Sequence, residues 1–419
     1  MSERTAVRPH RATHPAPPDR RPGHFRVDVE GLRAVAIGLV LLYHAGLPFV
    51  PAGYVGVDVF FVISGFLITT QLVSELDRTG TVSLPRFYAR RAKRLLPAAA
   101  VVLATTVVLV RLYVPRTRWE EIGGDIIGSA LYVVNWRLAD RSVDYLAEDS
   151  VASPVQHFWS LAVEEQFYLA WPLLILVSAL VARALRGRAR PVLWLGLAAV
   201  AVPSFAWALA ETARAPERAF FVTTTRMWEL AIGAAVALGA GLFTRLPGRW
   251  AAPLGWTGLA AVAASGLLFT TGTPWPGYAA ALPTLGTAAV IAAGFAATRA
   301  GPAALLGTAP FQAVGALSYS LYLWHWPLLA VAAAHWGGLS AGQGLAVAAG
   351  SAIPAWLTYR LVENPVRHSA AVSRSPRLAL SLGANFTLAG VVAGLALLLS
   401  VSVAIPDRGA GGPAAPPAL

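Results

Sequence analysis

An arginine and a histidine sharing one apolar stretch set the chemical question for this chain. The stretch reads Glu30-Gly-Leu-Arg33-Ala-Val-Ala-Ile-Gly-Leu-Val-Leu-Leu-Tyr43-His44. On an α-helix His44 returns to within about 20° of the Arg33 face, about 16 Å further along the axis. An arginine at a membrane edge snorkels to the headgroups. An imidazole near mid-depth is costly there and faces a cavity or a partner. His44 therefore has two readings, a proton-handling catalytic group or a hydrogen-bonded packing residue.

Other polar groups sit where lipid would exclude them. The run His157-Phe-Trp-Ser160-Leu-Ala-Val-Glu164-Glu165-Gln-Phe-Tyr168 puts adjacent carboxylates about two turns into an apolar helix. Glu164 and Glu165 project about 100° apart, so one site is not expected to use both equally. Glu164 and His44 both fall in the outer halves of their helices, which predicts a His–carboxylate pair acting as general base. The alternative for Glu164 is an ion pair with Arg226 or Arg111. Arg226 and Glu229, three residues apart, are expected to form a structural pair. In Ser318-Tyr-Ser-Leu-Tyr322-Leu-Trp-His325-Trp-Pro, the aromatic run alone reads as interfacial packing, and His325 is ambiguous.

The cluster Arg90-Arg91-Ala-Lys93-Arg94 also has two readings. One is a positive-inside anchor that attracts anionic lipid. The other is a clamp for phosphates, which guanidinium forks suit. No P-loop, nucleophile elbow or His-Glu-x-x-His pattern is present, so ATP-driven and metal-dependent chemistry have no support and no metal site is expected.

The elements that must position these groups follow from composition. The chain has 419 residues, of which 56% are hydrophobic and only 13% charged, with a mean hydropathy of +0.58. This is an all-α integral membrane protein rather than a soluble domain. It has no cysteine, which removes disulfides and thiol nucleophiles. The net charge of +12 comes from arginines placed between apolar spans, which reads as topology and not as nucleic-acid binding.

Eleven transmembrane helices are expected, near 32–47, 54–73, 95–114, 157–182, 192–209, 220–242, 251–269, 279–297, 314–333, 344–361 and 382–404. The segment 86–94 reads as a basic loop, and the apolar run 126–138 as an interfacial or re-entrant helix too short to span. In this arrangement 22 of the 33 Lys and Arg fall on one side and 7 on the other, with the rest in helices. That bias predicts a cytoplasmic N-terminus and an extracytoplasmic C-terminus. Residues 1–24 are expected to be a disordered basic cytoplasmic tail, 25–381 a ten-helix membrane domain, 382–404 the eleventh helix, and 405–419 a flexible outer tail. The outer segment 115–156 has two readings, a membrane-surface cap or a vestibule where Tyr132, Asn135, Trp136 and Tyr145 offer aromatic faces and hydrogen-bonding groups to a polar ligand, and it leads into His157.

Taken together, the motifs resemble the integral-membrane acyltransferase 3 family. The matching residues are Gly31-Leu-Arg33 with His44, Gly56-Val-Asp58-Val-Phe-Phe-Val-Ile-Ser64-Gly65-Phe, and Arg90 with Arg94. His157 through Glu164 to Tyr168, Arg226-Met-Trp-Glu229 and Tyr319-Ser-Leu-Tyr322-Leu-Trp-His325-Trp-Pro327 follow in the same order, so the resemblance covers about residues 25–365. It implies an O-acyltransferase in a bacterial plasma membrane, with acyl-CoA, foremost acetyl-CoA, as donor substrate and no bound cofactor. The acceptor would be an extracytoplasmic glycan or glycolipid hydroxyl. It further implies that His44 is catalytic, that Arg33 orients donor or helix, and that Arg90 and Arg94 hold the donor's phosphates. Glu164 matches the family's acidic position, while Asp58, Ser64, Arg226, Glu229, Tyr322 and His325 would support the site. The last helix resembles a branch that appends an SGNH esterase-like domain, so a separate SGNH-type transferase is an expected partner. Acylation of a glycosylated secondary metabolite is a second enzymatic reading. A transporter or flippase using His44 and Glu164 as a proton relay is a reading of another class, which would call for internal repeats not evident here.

Overall fold

The computed structural model describes residues 26–142, 152–296 and 300–402. The expected tails at 1–24 and 405–419 lie outside the described residues, as do Tyr145 and the acidic residues around it. All regular structure among the described residues is helical. Helix α1 (Val27–His44) leads through a short 3-10 turn into α2 (Gly56–Thr79), followed by α3 (Leu84–Tyr113). The pair α4 (Trp119–Ala130) and α5 (Val134–Ser142) precedes the long helices α6 (Phe158–Ala184) and α7 (Ala189–Arg214). Next come α8 (Pro216–Phe221), α9 (Met227–Leu238), α10 (Ala240–Phe243), α11 (Gly248–Leu268), α12 (Ala281–Ala293) and α13 (Ala303–Leu306). Helix α14 (Ala309–Trp336) is followed by α15 (Ala341–Gly350), α16 (Ala352–Thr358), a π-helical turn at Tyr359–Glu363, α17 (Asn364–His368), α18 (Ala370–Arg374) and α19 (Pro376–Ser402).

Among the described residues, seven helical segments are long and apolar enough to cross a membrane. They are Gly53–Thr79, Leu84–Tyr113, Phe158–Ala184, Ala189–Arg214, Gly248–Leu268, Ala341–His368 and Pro376–Val401. The remaining expected spans depart from that standard for local reasons. Helix α1 carries Asp28, Glu30 and Arg33 in its 18 residues. The expected helix 220–242 is broken into α8, a 3-10 turn at Thr223–Thr225, α9 and α10. Helix α12 has only 13 residues.

Three boundaries change what the site can do. Helix α1 begins at Val27, so Arg33 lies inside it and His44 closes it, whereas the sequence placed the helix start near Leu32. The expected basic loop 86–94 is the beginning of α3. Pro85 sits in its first turn, and Arg, Lys, Ala and Leu are strong helix formers whatever their charge. The run 126–138 is two helices joined by a turn, in which Tyr132 takes φ +54° and the Val133 N–H donates to the Gly128 carbonyl over 2.8 Å. At the tip of this hairpin Tyr132 faces the helix-bundle cavity, while Leu131 and Val133 beside it are exposed.

Close packing holds the frame. Gly65 on α2 meets the Leu230 carbonyl on α9, and Gly233 on α9 meets the Val62 carbonyl on α2, so these backbones approach with no room for a Cβ. Helix α19 packs on α3 and α4, where Gly383 faces Ala92, Gly390 faces Ala130 and Gly394 faces Ile127. Its other face leaves Leu388, Val392, Leu395 and Leu399 exposed, at the spacing of one helical stripe, as a lipid-facing surface requires.

Candidate active site

A cavity opens between α1, α2, α3, α6 and α14, with the tip of the α4–α5 hairpin closing one side. Its cationic wall is made by Arg33, Arg91 and Arg94, and its acidic wall by Glu164 and Glu165. Ser64, Tyr132, Tyr168, Ser318 and Tyr319 add hydroxyls, while Val57, Phe60, Ile63, Leu67 and Leu95 supply apolar surface. Ser160 and Tyr322 also line it.

The arginines are only partly engaged by the protein. Arg33 Nη1 donates to Glu30 at 3.3 Å. The Arg91 guanidinium lies over the Tyr168 ring, 4.9 Å from its centroid. Arg94 has a buried Nε with no hydrogen-bond partner among the described residues. A guanidinium nitrogen left in this way is a donor suited to an anion. Glu164 accepts from the Tyr168 hydroxyl at 3.1 Å.

Beyond Ser160 and Tyr322 lies a layer of imidazoles. The Tyr322 hydroxyl is 2.6 Å from Ser160 Oγ and donates to the His157 carbonyl at 3.0 Å. Its ring centroid is 5.5 Å from that of His325 and 5.5 Å from that of His157. His44 Nδ1 lies 3.0 Å from His325 Nε2, and the two ring planes are 17° apart. Trp326 covers His44 at 4.5 Å between centroids. Proline at position 327 leaves α14 continuous, so its aromatic run delivers Tyr322, His325 and Trp326 together.

The predicted site residues therefore separate into groups. Arg33, Arg94, Glu164, Ser64, Tyr322 and Tyr132 share the cavity, and His44, His325 and His157 form the adjoining layer. The expected His44–Glu164 pair does not form. His44 bonds to His325, and Glu164 bonds to Tyr168, because α14 rather than α6 packs against the end of α1. Arg90 turns away from the cavity to Glu75 on α2 at 3.3 Å, with its side chain 41% exposed. Glu164 and Glu165 both line the cavity, which spreads over more than one row of α6.

The proposed vestibule residues also change place. Tyr132 faces the arginine cavity, and Asn135 is fully buried, donating to Thr223 Oγ1 at 2.9 Å. Trp136 donates to Gln166 Oε1 at 3.2 Å. Gln166 in turn donates to the Tyr132 carbonyl at 2.8 Å and to Asn135 Oδ1 at 2.9 Å, so these groups fasten the hairpin instead of presenting themselves to a sugar. His157 is buried, with Nε2 3.2 Å from the Leu323 carbonyl.

Asp58, Arg226 and Glu229 make a separate ionic cluster. Arg226 Nη1 bonds to Asp58 at 3.0 Å and to Glu229 at 2.9 Å, with side chains no more than 1% exposed. Its guanidinium lies over Trp159 and Phe220 at 5.4 and 5.2 Å. The structural pair expected from spacing thus gains Asp58 as a third member, and it ties α2 to α9.

Sequence reading gave no site role to Tyr168, Tyr319 and Glu363, and it named Arg91 only within the basic cluster and Glu165 only beside Glu164. Arg91 was visible as a position three residues before Arg94, on the same helical face. Glu363 sits in the π-helical turn just before Asn364-Pro365, a distortion common at functional sites, and accepts from Ser320 at 3.0 Å. No group of side chains able to hold a metal ion occurs among the described residues.

Comparison with known proteins adds to this geometry. A family model described as an acyltransferase domain, acyltransferase 3, matches residues 26–360. The "Putative peptidoglycan O-acetyltransferase YrhL" of Bacillus subtilis (strain 168) is 33% identical over 308 residues, which are 72% of this chain and 48% of that protein. The peptidoglycan O-acetyltransferase OatA of Listeria monocytogenes serovar 1/2a is 31% identical over 353 residues, 81% of this chain and 55% of its own. The chain thus spans about half the length of these relatives. No solved structure matches it.

Proposed function

Because this chain belongs to the acyltransferase 3 family, we propose that it moves an acetyl group from acetyl-CoA to a hydroxyl of an extracytoplasmic glycan, with His44 as general base. The observation that carries this reading is the continuity between the arginine cavity, where Arg94 has an unpartnered buried nitrogen, and the Tyr322–His325–His44 layer. Phosphates of the donor would rest on Arg33, Arg91 and Arg94, and the pantetheine arm on the apolar wall. The thioester would then lie near Ser160 and Tyr322. His44 takes the proton from the acceptor hydroxyl as its oxygen attacks the thioester carbonyl carbon. The C–S bond breaks, and the departing thiolate takes that proton back from the imidazolium.

The same reading places the protein in a bacterial plasma membrane with eleven passes, counting α1, α14 and the shorter apolar helices, and with the N-terminus cytoplasmic. The arginine bias supports that orientation, since it puts the arginine cavity on the side where CoA is found. Peptidoglycan is the acceptor indicated by the names of the relatives. The test is acetyl transfer by the full chain in nanodiscs from radiolabelled acetyl-CoA to peptidoglycan fragments. A base-labile sugar ester, formed only with the protein, is the expected product. Absence of both transfer and saturable acetyl-CoA binding would refute the reading.

A further inference from the structure

The hydrogen bonds around His325 determine which nitrogen of His44 is free to act. His325 Nδ1 lies 3.1 Å from the Leu321 carbonyl oxygen, one helical turn back on α14. A carbonyl can only accept, so Nδ1 of His325 carries the proton. With the ring neutral, its Nε2 is a bare lone pair, and this atom faces His44 Nδ1 at 3.0 Å. His44 must then donate through Nδ1–H, which leaves Nε2 of His44 unprotonated. His157 is locked in the same manner, since its Nε2 lies 3.2 Å from the Leu323 carbonyl. Both neighbouring imidazoles thus have one nitrogen committed to a backbone carbonyl. Among the described residues no carbonyl bond commits His44, whose Nδ1 faces His325.

We propose that His325 is the positioning residue that holds His44 in the Nδ1–H tautomer and so makes Nε2 of His44 the base. This rests on the reading of His44 as the proton acceptor and deepens it. A carboxylate is the usual group behind a catalytic histidine, and here a neutral imidazole anchored by Leu321 takes that place. Such an arrangement suits a membrane interior, because it orients the base without burying a charge. When His44 gains the acceptor's proton at Nε2, its Nδ1–H bond to the His325 lone pair becomes charge-assisted and strengthens. The ring is therefore held most firmly in the state formed during attack. Trp326 and the near-parallel ring planes keep His44 from turning to offer Nδ1 instead.

The test is nitrogen-15 NMR of the full chain, labelled at histidine, in nanodiscs at neutral pH. The His44 signals are identified by their loss in His44→Gln. A pyrrole-type Nδ1 and a pyridine-type Nε2 are expected, and a protonated Nε2 in the neutral ring would overturn the proposal. This readout needs no substrate, so it stands even if acetyl transfer itself is not found. For turnover, His325→Phe keeps the ring and removes the acceptor. It should lower kcat by about 10²- to 10⁴-fold with the KM for acetyl-CoA unchanged. His325→Gln keeps an oxygen able to accept and should recover at least a tenfold part of that loss. A kcat within threefold of wild type in His325→Phe, or equal losses in both variants with the His44 tautomer unchanged, would make His325 a packing residue.

Discussion

Arg90 and Arg91 are neighbours in the chain and serve different surroundings. Arg90 reaches Glu75 on α2 at 3.3 Å, whereas the Arg91 guanidinium lies over Tyr168 on the cavity wall at 4.9 Å. Successive residues on a helix point about 100° apart, so the rotation of α3 about its axis selects one of them for the cavity.

The first prediction follows from that rotation. Arg91→Ala and Arg94→Ala should each raise the KM for acetyl-CoA by roughly ten- to a hundredfold, with a smaller effect on kcat, because phosphate contacts far from the thioester act equally in ground and transition states. Arg90→Ala removes a half-exposed pair with Glu75 outside the cavity and should leave the KM within about threefold. Initial-rate kinetics on the three variants decides, after checking that topology is retained. A larger KM effect from Arg90 than from Arg91 would contradict the assignment.

His44→Gln should lower kcat at least about 10²-fold while membrane insertion and yield stay at wild-type levels. The substitution removes the base and keeps a polar side chain in contact with His325. Donor KM should hardly change, since His44 lies beyond Tyr322 and not among the arginines. Retention of more than about a tenth of the activity would remove His44 from the chemistry.

Gln166→Leu should loosen the α4–α5 hairpin. It takes away the donor to the Tyr132 carbonyl and Asn135 Oδ1, and the acceptor for Thr223 and Trp136. Each buried polar group left unpaired costs about 1–3 kcal/mol. A lower melting temperature in detergent is expected, with acetyl-CoA binding weakened as Tyr132 leaves the cavity wall. Unchanged melting would show that the hairpin does not depend on this glutamine.

Arg226→Met should be among the most damaging changes, because it strands Asp58 and Glu229 in a buried site. Removing one partner of a buried ionic cluster costs about 3–5 kcal/mol. Gly65→Ala should act on the same α2–α9 contact by forcing a Cβ against the Leu230 carbonyl, while Gly38→Ala, with open space around its position, serves as the control. Thermal stability and detergent-extracted yield report both. Wild-type behaviour of Arg226→Met would mean the cluster is not structural.

Chemistry that resides in residue type was readable from the chain alone. The low charge and high hydropathy established a helical membrane protein, and charged or imidazole groups inside apolar runs marked Arg33, His44, Glu164 and the arginine cluster. Arg226 and Glu229 were paired correctly because a three-residue spacing on one helix is a local fact. Helix breaks were less legible. The turn at Tyr132 and the break between α8 and α9 at 222–226 carry no proline or glycine, and packing decides them, whereas the break between α9 and α10 falls on Gly239.

Partnership between helices was decided only by tertiary structure. Periodicity allows either Arg90 with Arg94 or Arg91 with Arg94 to share a face, since both spacings bring side chains together on a helix. Likewise, nothing in the sequence distinguishes Glu164 from His325 as the partner of His44, as each lies far away in the chain. A helix's sequence specifies which residues share a face, whereas its rotation and its neighbours are set by the summed packing of the whole bundle. Glycine contacts such as Gly65 with Leu230 and Gly394 with Ile127 bring the backbones close enough to fix those rotations. That packing sets α14 against the end of α1 and gives His44 an imidazole, not a carboxylate, as its partner.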